Sequence, residues 1–403
     1  MTRIQVALTG LLGGVLFLSI ALFRYEMLFR FPAGTYLFPL CILLGFSALY
    51  TGIGLLFRWD RFRLFVFILM VEGLTWGFIF DAGRSRSTNG LGHFLGSCVY
   101  RGRGYGLLQN DAIQVNPALS RYDPRLIYRL KPGQGHFRNL EFSTSLRINS
   151  RGLRDDEASL HQPELIVLGD SFSMGWGVEQ EETFPQLLEH HTGRKVLNAG
   201  ISSYGTAREY LLLQELDRSH CGTLVIQYCD NDLSENMVYR HTGTLDYSRS
   251  RYQQTVRMNT VNRWLFPFKL SFLVLQRLEY LIENQLASRP PGSSHSGKGV
   301  TPAGDGQNQH LDHFIPILKK IRKVYAGPIV VTELSSHGIQ SCLSAGLRMR
   351  LREAALSGIY YCDLSGHLST EDYFRIDGHL NPEGHRKVAF WLGEFIRQLP
   401  PGF

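Results

Sequence analysis

Four short blocks of polar residues, far apart along the chain, carry the side chains that could do chemistry. The first is Gly169-Asp170-Ser171, and the others lie at 198–205, 231–232 and 377–381. A serine hydroxyl is a weak nucleophile unless a base lies within hydrogen-bond reach, and the oxyanion that its attack creates needs N–H donors. Because the blocks supply a hydroxyl, amides and an imidazole, they indicate nucleophilic chemistry at a carbonyl carbon.

The first three blocks each follow a short apolar run. These runs, at 165–168, 196–197 and 224–226, are typical of strands that are buried on both faces of a parallel sheet. Polar groups at the carboxyl ends of such strands meet at one edge of the sheet. We therefore expect the separate blocks to gather at one edge and form a single site.

Helical patterns alternate with the strands. One helix is predicted at 183–191, a second with Thr206 at its head, and a third with Pro382 at its first position. Two further strands are predicted at 329–331 and 359–361. Thr206 and Glu209 have the spacing of a capping box, and Asn381 before Pro382 is typical of a helix N-terminus. The alternation predicts an α/β fold with a three-layer, doubly wound (flavodoxin-like) parallel sheet.

In the order of these blocks, residues 161–400 resemble the SGNH, or GDSL-like, hydrolase family. The segment 149–154, Asn-Ser-Arg-Gly-Leu-Arg, is similar to the lead-in of membrane-tethered bacterial members, which are associated with cell-surface and exported polysaccharides. The resemblance implies that Ser171 is the nucleophile and that His379 is its base. Asp377 would then orient the imidazole and stabilise the imidazolium.

The same resemblance implies an oxyanion hole. Its donors would be the main-chain N–H groups of Ser171 and Ser203 and the side-chain amide of Asn231. Supporting positions nearby are Asp170, Asp232 and Gly200.

The chain departs from the family pattern in three places. Ser203 stands where the oxyanion glycine is usual, and serine costs more than glycine if φ must be positive. Cys229 stands where the third block usually has a glycine. Only one residue separates Asp377 from His379, where two are commoner, although some membrane-linked polysaccharide acetylation proteins show the tighter spacing.

The N-terminal part is strongly apolar. Stretches at 4–23, 36–57 and 62–80 are each long enough to cross about 30 Å of hydrocarbon, so we predict a membrane region, 1–83, with about three transmembrane helices. The first stretch alone could be a signal peptide, but two more with short connections favour spans. With a cytoplasmic N-terminus, three spans would put the large domain on the extracytoplasmic side of a bacterial inner membrane. Arginines flank the spans on both sides, so the positive-inside rule does not determine the orientation.

Two further segments complete the expected organisation. Residues 84–160 are predicted to be a connector with short strands at 126–131 and 143–148, leading to the hydrolase domain, 161–403. An insertion at 235–310 contains an apolar helix, 264–282, and a Gly-, Ser- and Pro-rich loop. That helix could be a lid, could lie on the bilayer surface, or could simply pack on the domain.

Composition excludes several classes of ligand. The net charge is +7, but no run of Lys and Arg with interleaved aromatics occurs, so nucleic acid is not an expected partner. The six cysteines contain no CxxC pair, and neither a Walker motif nor GxGxxG after a strand occurs. We therefore expect no metal and no organic cofactor.

The sequence thus predicts a serine-dependent ester hydrolase or acyl (acetyl) transferase that acts on an envelope or exported polysaccharide through an acyl-serine intermediate. Its expected partners are a carbohydrate ester, the lipid bilayer and polysaccharide-assembly proteins. Two alternatives stay open. One is a lipid or thioester hydrolase at the bilayer, with 264–282 as the helix that admits lipid. The other is an inactive scaffold or glycan-binding component, motivated by Ser203 and Cys229.

Overall fold

The structure is a computed structural model. The residues it describes are 2–23, 34–56, 69, 112–138, 141–262, 303–336, 343, 346–374 and 377–399. The chain divides into two compact units, Met1–Asp111 with Gln253–Ser296, and Ala112–Tyr252 with Gly297–Phe403. The predicted boundaries at 83 and 160 stay a prediction. The predicted apolar helix at 264–282 and most of the loop after it lie outside the described residues.

The first unit contains two apolar helices, α1 (Arg3–Phe23) and α2 (Gly34–Leu56), which pack against each other. Glycines allow the close approach: a Cβ at Gly14 would lie 2.8 Å from the main-chain nitrogen of Leu49, and one at Gly52 would lie 2.8 Å from the carbonyl oxygen of Ala7. Small residues at a helix–helix contact are typical of membrane helices, because they let two backbones come close.

One helix of the described chain, α1, is long and apolar enough to cross a membrane, over Arg3–Ile20. The second helix contains a shorter apolar stretch, Leu44–Leu56. Signal sequences and buried core helices have the same length and composition as a span, so the predicted number of spans stays a prediction. The third predicted span, 62–80, lies outside the described residues apart from residue 69.

The second unit is built on a parallel sheet of five strands. The strands of the unit are β1 (Ser120–Asp123), β2 (Ile127–Leu130), β3 (Gly133–Arg138), β4 (Ser143–Ile148), β5 (Leu165–Gly169), β6 (Val196–Gly200), β7 (Thr223–Tyr228), β8 (Ile329–Glu333) and β9 (Ile359–Cys362). The order in the parallel sheet, β6-β5-β7-β8-β9, is 2-1-3-4-5 along the chain, which is the flavodoxin-like order. The prediction of an α/β fold with a parallel sheet is confirmed.

Helices follow the strands along the chain. They are α3 (Ser171–Met174), α4 (Phe184–Thr192), α5 (Thr206–Leu213), α6 (Asp232–Thr242), α7 (Arg249–Asn262), α8 (Ala303–Val324), α9 (Leu347–Glu353) and α10 (Pro382–Arg397). Short 3-10 turns lie at Ile113–Val115, Ala158–Leu160, Gln180–Glu182 and Thr370–Asp372.

The sheet is buried on both faces. Leu165 and Val167 of β5 share one hydrophobic core with Leu188 of α4 and Leu392 of α10. The alternate β5 residues are fully buried too, and α5 contacts β5 and packs with α6 and α8. Burial on both faces explains why these strands are continuous apolar runs rather than alternating patterns.

Local capping signals determined two of the three helix starts that we predicted. The Thr183 side chain accepts a hydrogen bond from the main chain of α4, and Asn381 does the same for α10. The capping box predicted for α5 is wrong. Gly205 is the N-cap there, because the Thr206 hydroxyl donates instead to Asp232 Oδ2 at 2.6 Å, and Glu209 is fully buried.

Two antiparallel hairpins, β1–β2 and β3–β4, precede the parallel sheet and contain the strands predicted near 126–131 and 143–148. The buried guanidinium of Arg154 attaches the second hairpin to the loop after α3. Its Nη2 donates to the carbonyl oxygens of Ser145 at 3.1 Å and Val178 at 2.7 Å. The region before the sheet therefore lies directly against the loops that carry polar residues at the sheet edge.

Candidate active site

Ser171 lies at the turn between β5 and the four-residue helix α3. The Asp170 carboxylate caps this helix by accepting from the main-chain N–H of Phe172 at 3.0 Å. Gly175 ends it in the left-handed region, with φ of 83°. The turn packs tightly on the end of β6, where a Cβ at Gly200 would lie 2.5 Å from the nitrogen of Met174. The Ser171 hydroxyl is thereby fixed at the carboxyl end of β5.

His379 lies beside Ser171 although the two are 208 residues apart. Its Nε2 is 2.7 Å from Ser171 Oγ, and its Nδ1 is hydrogen-bonded to Asp377 Oδ1. Because the carboxylate accepts from Nδ1–H, Nε2 is the acceptor for the serine hydroxyl. Gly378, with φ of 81°, turns the backbone between aspartate and histidine. The structure thus brings Ser171, His379 and Asp377 into one hydrogen-bonded chain.

Two residues that the sequence analysis missed hold Asp377. Its Oδ2 accepts from the indole Nε1–H of Trp176 at 3.0 Å, and its main-chain N–H donates to Glu141 Oε2 at 2.8 Å. The Trp176 ring also stacks on the His379 ring, with centroids 5.5 Å apart. Trp176 directly follows Gly175, the glycine in the left-handed conformation that ends α3, and this position was the one signal in the sequence for Trp176. The sequence contains no comparable signal for Glu141.

Asn231 lies at the same sheet edge, after β7. Its side-chain Nδ2 donates to Oδ2 of Asp170, the residue before Ser171, at 3.3 Å. Asp170 is fully buried, and burial raises the pKa of its carboxyl while the N–H of Phe172 and the Asn231 amide act in the opposite direction. A primary amide has two N–H hydrogens, so the contact with Asp170 leaves a second one for another acceptor.

Ser203 lies in the loop after β6 and has φ of 59°, in the left-handed region that favours glycine. The Arg208 guanidinium donates to the carbonyl oxygen of Ser203 and pairs with Glu235 through Nε at 2.6 Å. The Tyr128 hydroxyl donates to the neighbouring carbonyl of Ser202. The loop therefore keeps a glycine-like conformation with a serine in it, because side chains from β2 and α5 hold its carbonyl groups.

Two buried carboxyls lie behind this loop. Asp232 Oδ2 accepts from the N–H and the hydroxyl of Thr206, at 3.1 and 2.6 Å, so it braces the start of α5. Burial raises the pKa of Asp232 and of Glu209 well above their usual values. Repulsion from a neighbouring carboxylate adds to the rise, from Asp170 on Asp232 and from Asp232 on Glu209. Asp232 supports the loop after β6 rather than contacting the serine.

His385, six residues after His379, is structural. Its Nδ1 accepts from the main-chain N–H of Phe184 at 3.1 Å, and its ring stacks on the Phe184 ring. Burial lowers its pKa to about 3, which keeps the imidazole neutral.

Among the residues that the structure describes, no group of three or more His, Cys, Asp or Glu side chains could hold a metal ion.

Comparisons with known proteins add little to this geometry. No protein-family model matches the chain, and no curated protein sequence does either. A structure described as a lipolytic protein of the G-D-S-L family, from Desulfitobacterium hafniense DCB-2, is 12% identical with a TM-score of 0.34, over 57% of this chain and 97% of that one. A carbohydrate esterase family 2 enzyme with a carbohydrate-binding domain, from Corynascus thermopiles (Myceliophthora fergusii), is 13% identical with a TM-score of 0.33, over 58% of this chain and 65% of that one. Similarity this low does not bear on the activity of this chain.

Proposed function

We propose that this protein is a serine-dependent ester hydrolase or acyltransferase, with Ser171 as nucleophile, His379 as general base and Asp377 as the orienting carboxylate. The single observation that supports it is the chain of contacts from Ser171 Oγ through the His379 ring to Asp377. A hydroxyl hydrogen-bonded to a neutral imidazole, which is itself held by a carboxylate, is the arrangement that activates a serine.

In the proposed reaction Ser171 Oγ attacks the ester carbonyl carbon while its proton passes to His379 Nε2. The bond to the alkoxy oxygen then breaks, and the imidazolium returns the proton to the leaving alcohol. Water or an acceptor hydroxyl then attacks the acyl carbon of the resulting acyl-serine while His379 Nε2 takes its proton. The bond from the acyl carbon to Ser171 Oγ breaks, and the imidazolium returns the proton to Ser171 Oγ. Hydrolysis and transfer differ only in which hydroxyl takes the acyl group.

The negative charge on the attacked carbonyl oxygen needs N–H donors in this scheme. We assign them to the main-chain N–H groups of Ser171 and Ser203 and to the Asn231 amide. The contact between Asn231 and Asp170 supports the assignment, because it keeps the amide next to the nucleophile. Donors fixed before reaction stabilise the developing charge without reorganisation.

For the substrate we propose an acyl group, with acetyl first, on an envelope or exported polysaccharide. The likeness of segment 149–154 to membrane-tethered family members supports this choice, and the apolar helix Arg3–Phe23 is consistent with a membrane tether. We further propose that the second unit is extracytoplasmic at a bacterial inner membrane, where such a polysaccharide is accessible.

The test uses the full chain purified in detergent, with p-nitrophenyl acetate as substrate. Ser171→Ala should lower turnover by at least ~10³-fold, because the nucleophile and base act as a unit. Ser173→Ala is the matched control, since Ser173 lies in the same short helix and its hydroxyl donates to Gln227 instead. A fluorophosphonate probe should label the wild type and the control but not Ser171→Ala.

Equal turnover by the wild type and Ser171→Ala would remove the catalytic proposal. Folded wild-type protein that neither turns over nor takes up the probe would favour the scaffold alternative. Among p-nitrophenyl esters, activity that is flat or falls with acyl length supports the acetyl ester, whereas a steep rise would favour the lipid hydrolase. Release of acetate from an acetylated oligosaccharide, and its transfer to an added sugar, separate the esterase from the transferase.

A further inference from the structure

The carboxylate of Asp377 is held by more than the histidine. One of its oxygens contacts His379, the other accepts from the Trp176 indole at 3.0 Å, and its main-chain N–H is bonded to Glu141 at 2.8 Å. A carboxylate with only the histidine as partner could rotate about its last bond. The indole fixes that rotation, and the Glu141 contact fixes the backbone from which the side chain projects.

Trp176 is itself held in place. It is only 4% exposed, and its ring packs on Phe137 of β3 with centroids 4.5 Å apart and on Phe142 at 6.3 Å. The same ring stacks on His379, with centroids 5.5 Å apart. The indole therefore contacts both Phe137 of the β3–β4 hairpin and the imidazole, so the packing of the hairpin helps to determine where its N–H points.

The loop that carries Trp176 is anchored on both sides by one buried cation. Arg154 donates to the carbonyl oxygen of Gly175, directly before the tryptophan, and to that of Val178, two residues after it. The same guanidinium reaches Ser145 in β4. Hairpin, loop and indole thus form one continuous set of contacts that ends at the Asp377 carboxylate.

We propose that Trp176 and Glu141 are positioning residues that hold Asp377 against His379, so that the β3–β4 hairpin region completes the catalytic apparatus. The inference rests on the proposed function for its catalytic consequence, since neither residue contacts the reacting atoms. Both residues lie outside the four polar blocks, and Glu141 lies in the segment that the sequence suggested was a connector.

The kinetic test compares Trp176→Phe and Glu141→Ala with the wild type on p-nitrophenyl acetate, using the full chain. Loss of a hydrogen bond to a charged carboxylate should lower kcat by about 10- to 100-fold for Trp176→Phe, with KM changed by less than about twofold. Trp391→Phe is the matched control, because Trp391 is an exposed residue of α10. It should leave both constants unchanged.

A double-mutant cycle shows whether the indole acts through Asp377. In an Asp377→Ala background, Trp176→Phe should change kcat by less than about twofold, because the group it positions is already absent. If the two single-variant reductions in kcat multiply in full in the double variant, Trp176 acts independently of Asp377 and the proposal is overturned. Glu141→Ala covers the case in which Trp176→Phe fails to fold, since Glu141 is only half-buried and its replacement leaves the core intact.

A spectroscopic measurement separates this inference from the proposed function. In proton NMR, the Nδ1–H that His379 shares with Asp377 should give a downfield resonance, assigned by its loss in His379→Gln. Trp176→Phe and Glu141→Ala should move this resonance upfield and speed its exchange with solvent, whereas Trp391→Phe should not. An unchanged resonance in both variants overturns the inference even if the enzyme is active. A shifted resonance in a protein that has neither esterase nor acyltransferase activity supports the positioning role and refutes the proposed function.

Discussion

The Arg208 guanidinium donates a hydrogen bond to the main-chain carbonyl of Ser203, the residue whose φ is 59°. Arg208 is itself buried, paired with Glu235 and placed over the Tyr204 ring at 4.5 Å. Contacts to the carbonyl groups of Ser202 and Ser203 therefore help to hold the loop after β6 in a conformation that serine disfavours. These contacts do not involve the main-chain N–H of Ser203, which we assign to the proposed oxyanion hole.

Ser203→Gly tests whether serine strains this loop. Glycine adopts positive φ without the steric cost of a Cβ, so the free energy of unfolding should exceed that of Ser203→Ala by up to about 1 kcal/mol. Both variants keep the main-chain N–H, so both should retain esterase activity within a few fold. Urea unfolding and p-nitrophenyl acetate turnover measure the two quantities. Greater stability of the alanine variant would contradict the prediction.

Asn231→Ala removes the side-chain donor that we assign to the oxyanion hole. We expect kcat to fall by about 10²–10³-fold, equivalent to about 2.7–4 kcal/mol of barrier, with stability nearly unchanged because Asn231 is exposed. Ser234→Ala, an exposed position in the first turn of α6, is the control and should behave as the wild type. A loss of less than about threefold for Asn231→Ala would exclude the amide from the oxyanion hole.

Gly200→Ala should displace Ser171, our proposed nucleophile, although the added methyl group would press on Ser173 and Met174 rather than on Ser171 itself. A Cβ there would lie 2.5 Å from the nitrogen of Met174 and 2.6 Å from Cβ of Ser173, both in the helix that begins with Ser171. Overpacking of this kind costs about 1–3 kcal/mol, and the displaced helix should also lower kcat. Gly366→Ala is the control, because nothing lies within 4 Å of its added methyl group. If Gly200→Ala and Gly366→Ala have the same stability and the same kcat, then Gly200 does not pack tightly against α3.

His385 should make stability depend on pH. Its folded pKa, about 3, lies below the ordinary 6.5, so between these values the unfolded chain binds a proton that the native imidazole does not. The stability that neutral His385 contributes is complete above pH 6.5 and falls by up to about 1.4 kcal/mol per pH unit as the pH drops toward 3.

His385→Asn keeps an acceptor for the Phe184 N–H but does not titrate in this range. The stability advantage of the wild type over this variant should therefore shrink as the pH is lowered from 7.5 to 5, in urea unfolding at each pH. A difference that stays constant over this range would show that the imidazole is not buried in its neutral form.

Strand patterns in the sequence predicted the sheet and the place of Ser171. Continuous apolar runs are local signals, and the rule that parallel strands align their carboxyl ends converts them into a spatial prediction for Ser171 and Asn231. His379 and Asp377 follow no such run, and the family resemblance was what pointed to them. The residues that hold Asp377, Trp176 and Glu141, could not be predicted in this way. Glu141 is 236 residues from Asp377, and their contact depends on how a hairpin packs rather than on any periodicity. The capping signal at Thr206 failed because a tertiary bond to Asp232 competed with it.

The distance along the chain between Ser171 and His379 also has a consequence for biosynthesis. A ribosome that adds about 5–20 residues per second needs roughly 10–40 s to proceed from the serine to the histidine. During that interval one face of β5 also lacks part of its hydrophobic cover, because Leu392 and Ile396 of α10 are made later still. The nascent chain therefore carries Ser171 without its proposed base His379. The hydrogen-bonded chain that we propose to activate the serine forms only in the step that closes the core over β5.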